Sequence, residues 1–379
     1  MTSRSTADFT QLHLDVAFRR AGGRIIWQPR ILAWLTDKHR AGEALPRPYT
    51  GMSPPQLYRA LGCSNRIYEF ADCFVSHEDP AVRITQRDLN GTDYEVVWET
   101  PAGRQRAVYR RSPRSDWDKP LKWSIADEAE MQVAAWREER RTWSWDQAVF
   151  DRLSAEWTGL GAPTMYICRT SVQKLIVEDM GPENTIYALT DYPGACEAYF
   201  EALEVTQERL VGVINASPIR IINFGDNVHA GLLPPRWFRQ YVLPVYQRRS
   251  ELLHAAGKFV SAHWDGDCRP LLPFAQETGL DGIEAITPRP QGDVTLEETK
   301  DALGDMFLLD GIPAVLFDRT YPEPMLIECA RECIELFAPN LILGISDELS
   351  SHGEIERIRL VGEIVDEYNG RIVDASDAT

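Results

Sequence analysis

The chain alternates two kinds of hydrophobic pattern from about residue 160 onwards. Short runs rich in β-branched residues are followed by longer segments whose apolar residues recur every three or four positions. The short runs predict six strands: Thr164–Cys168, Ile219–Asn223, Lys258–His263, Gly282–Ile286, Met306–Asp310 and Leu341–Ile345. The longer segments predict helices: Pro235–Ala256, Cys268–Thr278, Thr295–Leu303, Tyr321–Phe337 and Gly353–Tyr368. This alternation is typical of βα units around a parallel sheet.

Two further strands upstream would complete a barrel. The run Arg24–Pro29 predicts a first strand, and one segment between residues 67 and 99 predicts another. Eight strands with intervening helices form a (β/α)8 TIM barrel, which takes about 250 residues. We therefore expect an α/β fold of this class, and the 379 residues leave room for extra structure, mostly in the amino-terminal half.

That extra structure contains a predicted antiparallel meander. The runs Val82–Arg87, Tyr94–Thr100 and Arg104–Tyr109 alternate with period two and are separated by Asn-Gly and Ala-Gly turns. The charged, helix-favouring segment 116–157 contains six tryptophans that favour packing over ligand binding: Trp117, Trp123, Trp136, Trp143, Trp145 and Trp157. We divide the chain into residues 1–160, an extension with the first barrel strands and the inserted meander, and residues 161–379, the main part of the barrel.

Charge and hydropathy narrow the classes of partner. Lys and Arg number 40 against 57 Asp and Glu, so the net charge is 40 − 57 = −17. Such a chain repels nucleic-acid phosphates and anionic lipid, so we expect neither as a partner.

No stretch approaches the roughly 18 apolar residues of a membrane span, and the first eight residues lack the apolar core of a signal peptide. We expect a cytoplasmic protein whose seven cysteines are reduced thiols.

Acidic residues follow the predicted strands, at the barrel end where (β/α)8 enzymes carry their chemistry. Asp226 follows the strand Ile219–Asn223, Asp347 follows Leu341–Ile345, and Lys258–His263 runs into His263-Trp-Asp265. Glu284 lies inside the apolar run Gly-Ile-Glu-Ala-Ile. A buried acid must be paired, protonated or bound to a cation, so this position indicates a functional residue.

Each of these residues also has a structural explanation. Asp226 and Asp347 can cap a turn and the last helix, and His263 can be a hydrogen-bonded imidazole at the barrel mouth. Together, however, His263, Asp265, Glu284 and Asp347 supply the nitrogen and oxygen donors of a zinc-like or harder divalent metal site with an open position. We take His263, Asp265 and Glu284 as the catalytic and metal-binding candidates.

Four residues are candidates for substrate binding. Arg30 and Trp34 follow the predicted first strand and are candidates for holding an aromatic or anionic substrate. Asp226 and Asp347 are two further candidates for substrate binding. Packing and surface roles explain Arg30 and Trp34 equally well. The sequence contains neither glycine-rich phosphate-binding motif and no Gly-x-Ser-x-Gly, which disfavours nucleotide chemistry and an α/β-hydrolase.

A set of motifs carries a family resemblance. They are the Gly-Asp-Asn loop at 225–227, Pro-Pro-Arg-Trp-Phe at 234–238, His-x-Asp-Gly at 263–266, the run ending at Glu284, Leu-Asp-Gly-Ile-Pro at 309–313 and Leu-Gly-Ile-Ser-Asp at 343–347. In combination they resemble the uroporphyrinogen decarboxylase superfamily, which includes the decarboxylase and the corrinoid-linked methyltransferases. Segments 99–103 and 122–130 are similar to the methyltransferase-like branch, so the resemblance covers most of the chain.

The resemblance implies a (β/α)8 barrel with its site at the carboxyl ends of the strands. Thiol-directed methyltransferases of this superfamily hold zinc through a His-x-Cys pair and a later Cys. Here Asp265 stands where the first Cys would be, and Ser346-Asp347 lies near the second. A carboxylate-rich site suits an oxygen-bearing substrate better than a thiol.

We therefore expect an enzyme that moves a methyl group from a small O- or N-methylated compound to the cobalt of a separate corrinoid protein. A metal, with zinc expected, or a protonated acid at Asp265 or Glu284 would polarise the leaving heteroatom. His263 would bind the metal or donate the proton. The partner protein would supply the cobalamin, and a homodimer is compatible with the sequence.

Two alternatives stay open. A cofactor-independent decarboxylase would gather a basic pocket around substrate carboxylates, and its candidate residues are Arg19, Arg24, Arg30 and Arg169. A barrel without catalysis that binds a ligand is the third class.

Overall fold

The computed structural model describes residues 8–112 and 118–377. Trp117 and the residues before Asp8, which the sequence analysis used, lie outside the described residues. Two compact units are present. The first lies within Met1–Ala71, Gln147–Ile167 and Ile219–Thr379, and the second within Asp72–Asp146 and Cys168–Pro218. The units interleave along the chain. The division into residues 1–160 and 161–379 stays a prediction.

A seven-stranded parallel sheet forms the centre of the first unit. Its strands, in chain order, are Ile26–Trp27, Thr164–Ile167, Ile221–Val228, Phe259–Trp264, Gly282–Glu284, Phe307–Pro313 and Leu341–Ser346. All six strands predicted after residue 160 are confirmed, and Ile26–Trp27 pairs with Leu341–Ser346. The last two strands are buried at every position. Burial on both faces explains why their sequences are mostly apolar, with Asp310 as the charged exception.

The two edge strands of this sheet share a neighbouring segment. The Ser64 amide donates to Trp27 O at 3.0 Å, and the Thr164 amide donates to Ile67 O at 3.4 Å. Ile67 also forms an isolated parallel bridge with Pro163. Residues 64–67 therefore lie beside both edge strands through single hydrogen bonds. An α/β fold with a parallel sheet is confirmed.

Helices connect the strands, and the prolines explain where they depart from prediction. In the first unit they are Phe9–Ala17, Leu32–Arg40, Pro54–Leu61, Gln147–Glu156, Pro235–Trp237, Leu243–His254, Leu296–Leu303, Glu323–Phe337 and Ile355–Asp377. The segment Arg269–Thr278 is a 3₁₀ helix rather than the predicted α-helix, because Pro273 lacks the amide that an α-helix needs. A π-helical segment, Phe238–Val242, divides the predicted helix Pro235–Ala256 just before Pro244.

An apolar cluster fills the amino-terminal end of the sheet. Ile221, Phe259, Phe307 and Ile342 pack there with residues of the helix Phe9–Ala17. Full burial of each such side chain contributes about 1.5–3 kcal/mol. Apolar side chains therefore fill this end of the unit, and the carboxyl ends of the strands are available for a polar site.

The second unit contains the predicted meander. Its four antiparallel strands are Arg83–Asp88, Asp93–Thr100, Gly103–Arg110 and Lys119–Lys122. A further pair, Phe74–His77 with Thr142–Trp145, is also antiparallel. The helices are Glu128–Arg140, Ser171–Lys174, Pro182–Asp191 and Pro193–Ala216, with a π-helical segment at Leu175–Asp179. Trp145 packs against Phe74 with ring centroids 5.2 Å apart. None of the helices in the described part of the chain has the length and apolar character needed to cross a bilayer.

Candidate active site

Glu284 is the centre of a buried polar cluster in the first unit. It ends the strand Gly282–Glu284 and is fully buried. Its Oε1 accepts hydrogen bonds from Arg66 Nη1 and the Tyr68 hydroxyl, and its Oε2 accepts from the Tyr166 hydroxyl at 3.0 Å. Burial opposes ionisation, but Arg66 and a hydrogen bond from His263 outweigh it and hold the pKa of Glu284 well below its usual range. The sequence-based expectation of a paired acid is therefore met.

His263 lies beside Glu284 because the two residues are partners in the parallel register of adjacent strands. Its Nδ1 is 2.7 Å from Glu284 Oε2. Burial of the imidazole opposes its charged form, but the bond to the Glu284 carboxylate prevails and raises the pKa of His263. With Nδ1 engaged, Nε2 is the nitrogen that faces the remaining site, 3.7 Å from Asp347 Oδ1. A carboxylate behind one ring nitrogen fixes the tautomer and the orientation of the other.

Three residues form a cluster that fits a metal ion. One ligand atom each from His263, Asp265 and Asp347 lies within 4.8 Å of the other two. The two aspartates are partly exposed, whereas His263 is buried. Glu284, which the sequence analysis included among the metal ligands, has its oxygens engaged by four donors instead. Nitrogen and carboxylate oxygen donors suit zinc or a harder divalent ion.

Arg30 is paired with acids at this cluster. Its Nη1 is 2.5 Å from Asp347 Oδ1, and its Nη2 is 3.2 Å from Glu348 Oε1. Its guanidinium carbon also lies 6.0 Å from the centre of the Tyr68 ring. The structure therefore joins His263, Glu284, Asp347 and Arg30 through direct contacts.

Four residues of the cluster escaped the sequence analysis as site residues: Arg66, Tyr68, Tyr166 and Asp310. Tyr68 and Tyr166 are stacked, with ring centroids 3.6 Å apart, and burial raises the pKa of both phenols. Arg66 lies between Glu284 and Asp310, with Nη2 3.0 Å from Asp310 Oδ1. Asp310 is the last residue of a predicted strand, so its position in the sequence indicated that it could belong to the site. No sequence pattern identified residues 64–68 as part of the site.

The other predicted substrate residues have different surroundings. Asp226 is fully buried and accepts a hydrogen bond from the Tyr246 hydroxyl at 2.6 Å. Trp34 is buried in the helix Leu32–Arg40, and its indole donates to Gly353 O at 3.1 Å. Their roles in substrate binding stay predictions. A cavity of about 490 Å³ lies beside Asp347 and Glu348 and offers room for a small molecule.

The arginines expected for a decarboxylase do not gather in the first unit. Arg19 donates to Asn340 Oδ1 at 2.8 Å and to Asp305 O at 2.6 Å, residues that precede strands of the sheet. It therefore lies at the amino-terminal end of the strands, opposite His263. The Arg24 Nε donates to Ala21 O at 3.1 Å. Arg169 belongs to the second unit and pairs with Glu178 there.

Comparison with known proteins gives a family and several distant structural relatives. A Methanosarcina mazei methyltransferase aligns over 96% of this chain and 93% of its own, with 13% identity and a TM-score of 0.47. A B12-independent methionine synthase from a Shewanella species aligns over 84% of this chain and 86% of its own, with 9% identity and a TM-score of 0.45. No curated protein matches the sequence. Residues 174–368 match the model of the uroporphyrinogen decarboxylase (URO-D) family, and the chain therefore belongs to that family.

Proposed function

We propose that this chain is a methyltransferase that moves a methyl group from a small O- or N-methylated compound to the cobalt of a corrinoid carried by a separate protein. The observation that carries the proposal is the buried Glu284–His263 pair, whose free Nε2 faces Asp347 at the carboxyl ends of the strands. Family membership supports enzymatic activity and agrees with this placement of the site.

His263 would act as the proton donor. When the bond between the methyl carbon and the heteroatom breaks, its electron pair stays on the heteroatom, while the acceptor supplies the pair that takes up the methyl group. Protonation of the heteroatom by Nε2 makes it a better leaving group. The Glu284 carboxylate stabilises the imidazolium before the transfer, and Arg66 with the two tyrosines keeps Glu284 ionised.

The same residues also fit a divalent metal, as the alternative to proton donation, because His263 Nε2 cannot carry the proton while it binds an ion. His263 Nε2 and one carboxylate oxygen each from Asp265 and Asp347 would hold the ion, and Glu284 would orient His263 from behind. When bound, zinc or a similar ion supplies Lewis acidity toward the leaving heteroatom. The geometry thus supports Asp347 as the third ligand in place of Glu284.

The proposal also covers the closure of the barrel, the cellular location and the oligomeric state. We propose that residues 64–67 take the place of an eighth strand and close a (β/α)8 barrel, which their hydrogen bonds to both edge strands support. A cytoplasmic location and a homodimer remain predictions. For the decarboxylase alternative, Arg19 and Arg30 would have to share one pocket, and they lie at opposite ends of the sheet.

A demethylation assay tests the proposal. The purified protein is mixed with reduced free cobalamin as acceptor and a panel of methoxyarenes and methylamines, and methyl uptake is followed by absorbance. We expect turnover with at least one compound and a loss of about 10²–10⁴-fold in His263→Asn. His254→Gln is the matched control, because His254 ends a helix and pairs with Asp281. A His263 variant with wild-type rates would exclude the acid role. Binding of the compounds without turnover would favour the non-catalytic alternative.

A further inference from the structure

Arg30 places a positive charge against the proposed metal site. Its Nη1 contacts the same oxygen of Asp347, Oδ1, that faces His263 Nε2. The Arg30 side chain is only 14% exposed, so solvent screens this charge weakly. A metal bound to that oxygen at about 2.0–2.2 Å would lie next to the guanidinium. The two cations would repel each other.

We infer that Arg30 and a divalent metal compete for Asp347, so that the position of the guanidinium sets the metal affinity of this site. This inference rests on the proposed metal site. It assigns Arg30 a regulatory contact in addition to the substrate-binding role predicted from the sequence.

The surroundings allow Arg30 to release Asp347 without losing all its partners. Its Nη2 is 3.2 Å from Glu348 Oε1, and the face of the Tyr68 ring lies 6.0 Å from its guanidinium carbon. An acidic partner and an aromatic face both stabilise a cation. The Arg30 backbone is held in place, because its carbonyl accepts a hydrogen bond from the Leu349 amide at 2.9 Å. Release therefore requires motion of the side chain alone.

Metal binding by variants tests the inference without any assay of turnover. Zn²⁺ and Mn²⁺ are titrated by calorimetry into metal-stripped wild type, Arg30→Gln, Arg30→Lys and Asp347→Asn. We expect Arg30→Gln to bind either metal about 10–100-fold more tightly than wild type, the range by which groups around a metal alter affinity. Arg30→Lys keeps the charge and should remain within a few-fold of wild type. Asp347→Asn should lose most of the affinity.

Two results would overturn the inference, and they differ in what they say of the metal site. Equal, tight binding by wild type and Arg30→Gln would leave the metal site in place and remove Arg30 from its control. No binding by either would remove the metal site itself, while the acid role of His263 would still be decided by the demethylation assay.

A second measurement uses the wild-type protein and needs no folded variant of Arg30. The side-chain Nε–H resonance of Arg30 is followed by ¹H–¹⁵N NMR during the Zn²⁺ titration. We expect it to shift in proportion to the bound metal as the guanidinium leaves Asp347. An unchanged resonance at full metal occupancy would contradict the competition.

Discussion

Arg66 Nη2 lies 3.0 Å from Asp310 Oδ1, but the two groups are not aligned as a hydrogen bond. Neither carboxylate oxygen of Asp310 has a hydrogen-bond donor in the described part of the chain. The residue is fully buried, and burial raises its pKa to about 7 against the opposing charge of Arg66. Glu284 adds to this rise, because its negative charge repels an ionised Asp310. Keeping Asp310 buried therefore lowers the stability of the folded protein wherever the unfolded chain would have released its proton.

We predict that Asp310→Asn changes how stability depends on pH. Between about pH 4 and 7 the unfolded chain has released the Asp310 proton and the native protein retains it. Wild-type stability therefore falls as pH rises through this window, by at most about 1.4 kcal/mol per unit from this residue. The free energy of unfolding of the variant, relative to wild type, should rise over the same window. Urea titrations at pH 4.5, 5.5 and 7 measure it, and parallel curves for the two proteins would contradict the prediction.

His13 should contribute the opposite slope. Its Nδ1 is 3.0 Å from Gln28 Nε2 and accepts the Ala162 amide at 3.3 Å, so the ring is neutral. Burial, aided by the charge of Arg66, lowers the pKa of His13 to about 3. The unfolded chain takes up this proton near pH 6.5 and the native protein resists it, so stability is lost as pH falls from 6.5 toward 3.

We expect His13→Gln to remove that loss, because its amide oxygen can accept from Gln28 and does not titrate. Each pH unit below 6.5 should cost wild type about 1.4 kcal/mol more than the variant. The same urea titrations compare the two proteins. Since the Asp310 and His13 variants should change the slope in opposite directions, each is the control for the other. Equal acid sensitivity of wild type and His13→Gln would show that the histidine is already protonated in the fold.

The strands of the sheet were predictable because both of their faces are buried. An apolar run such as the one around Phe259–Trp264 can be recognised without knowing its neighbours. The pairing of Glu284 was predictable for the same reason, since an acid inside such a run needs a partner. The partners themselves were not predictable. Arg66, Tyr68 and Tyr166 reach Glu284 across 218, 216 and 118 residues, respectively. No local pattern encodes contacts at that separation.

The backbone conformation of Asp310 is a second feature that the sequence did not predict. Asp310 has a φ of 79°, a left-handed conformation that is uncommon for a residue other than glycine. Strict alternation along the strand Phe307–Pro313 does not anticipate such a residue. The interleaving of the two units was not predictable either. The sequence pattern indicates helices and strands along the chain, but it does not indicate which of them share a hydrophobic core.

We predict that Glu284→Gln weakens the fold as well as the activity. The amide keeps the shape of the side chain but leaves Arg66 and His263 without their shared anion. Loss of one partner from a buried ion pair costs about 3–5 kcal/mol. Tyr166→Phe is the matched control, because it removes one hydrogen bond to the same carboxylate but keeps the ion pair, and it should cost less, about 1.5–3 kcal/mol. Urea unfolding at pH 7 measures both. A Glu284→Gln protein as stable as wild type would mean that the carboxylate does not hold the cluster together.

We expect glycine to be needed at position 344, because the Asp310 carboxylate occupies the space that a side chain would take there. A Cβ atom at position 344 would lie 2.2 Å from Asp310 Oδ1 and 2.9 Å from Gln28 O. We therefore expect Gly344→Ala to lower the free energy of unfolding by about 1–3 kcal/mol. Gly370→Ala is the control, because Gly370 lies in the helix Ile355–Asp377 with nothing within 4 Å of such an atom. It should stabilise the protein by about 0.5–1 kcal/mol.

The source of the Gly344 penalty can be isolated with a double-mutant cycle. If the Asp310 carboxylate causes most of the clash, Gly344→Ala should cost at least about 1 kcal/mol less in an Asp310→Ala background than in wild type. Part of the cost should remain, since the Gln28 carbonyl belongs to the backbone next to the strand Ile26–Trp27 and cannot swing away. Additive effects of the two substitutions would instead assign the penalty to Gln28, and would show that the Asp310 carboxylate can move away from a side chain at position 344.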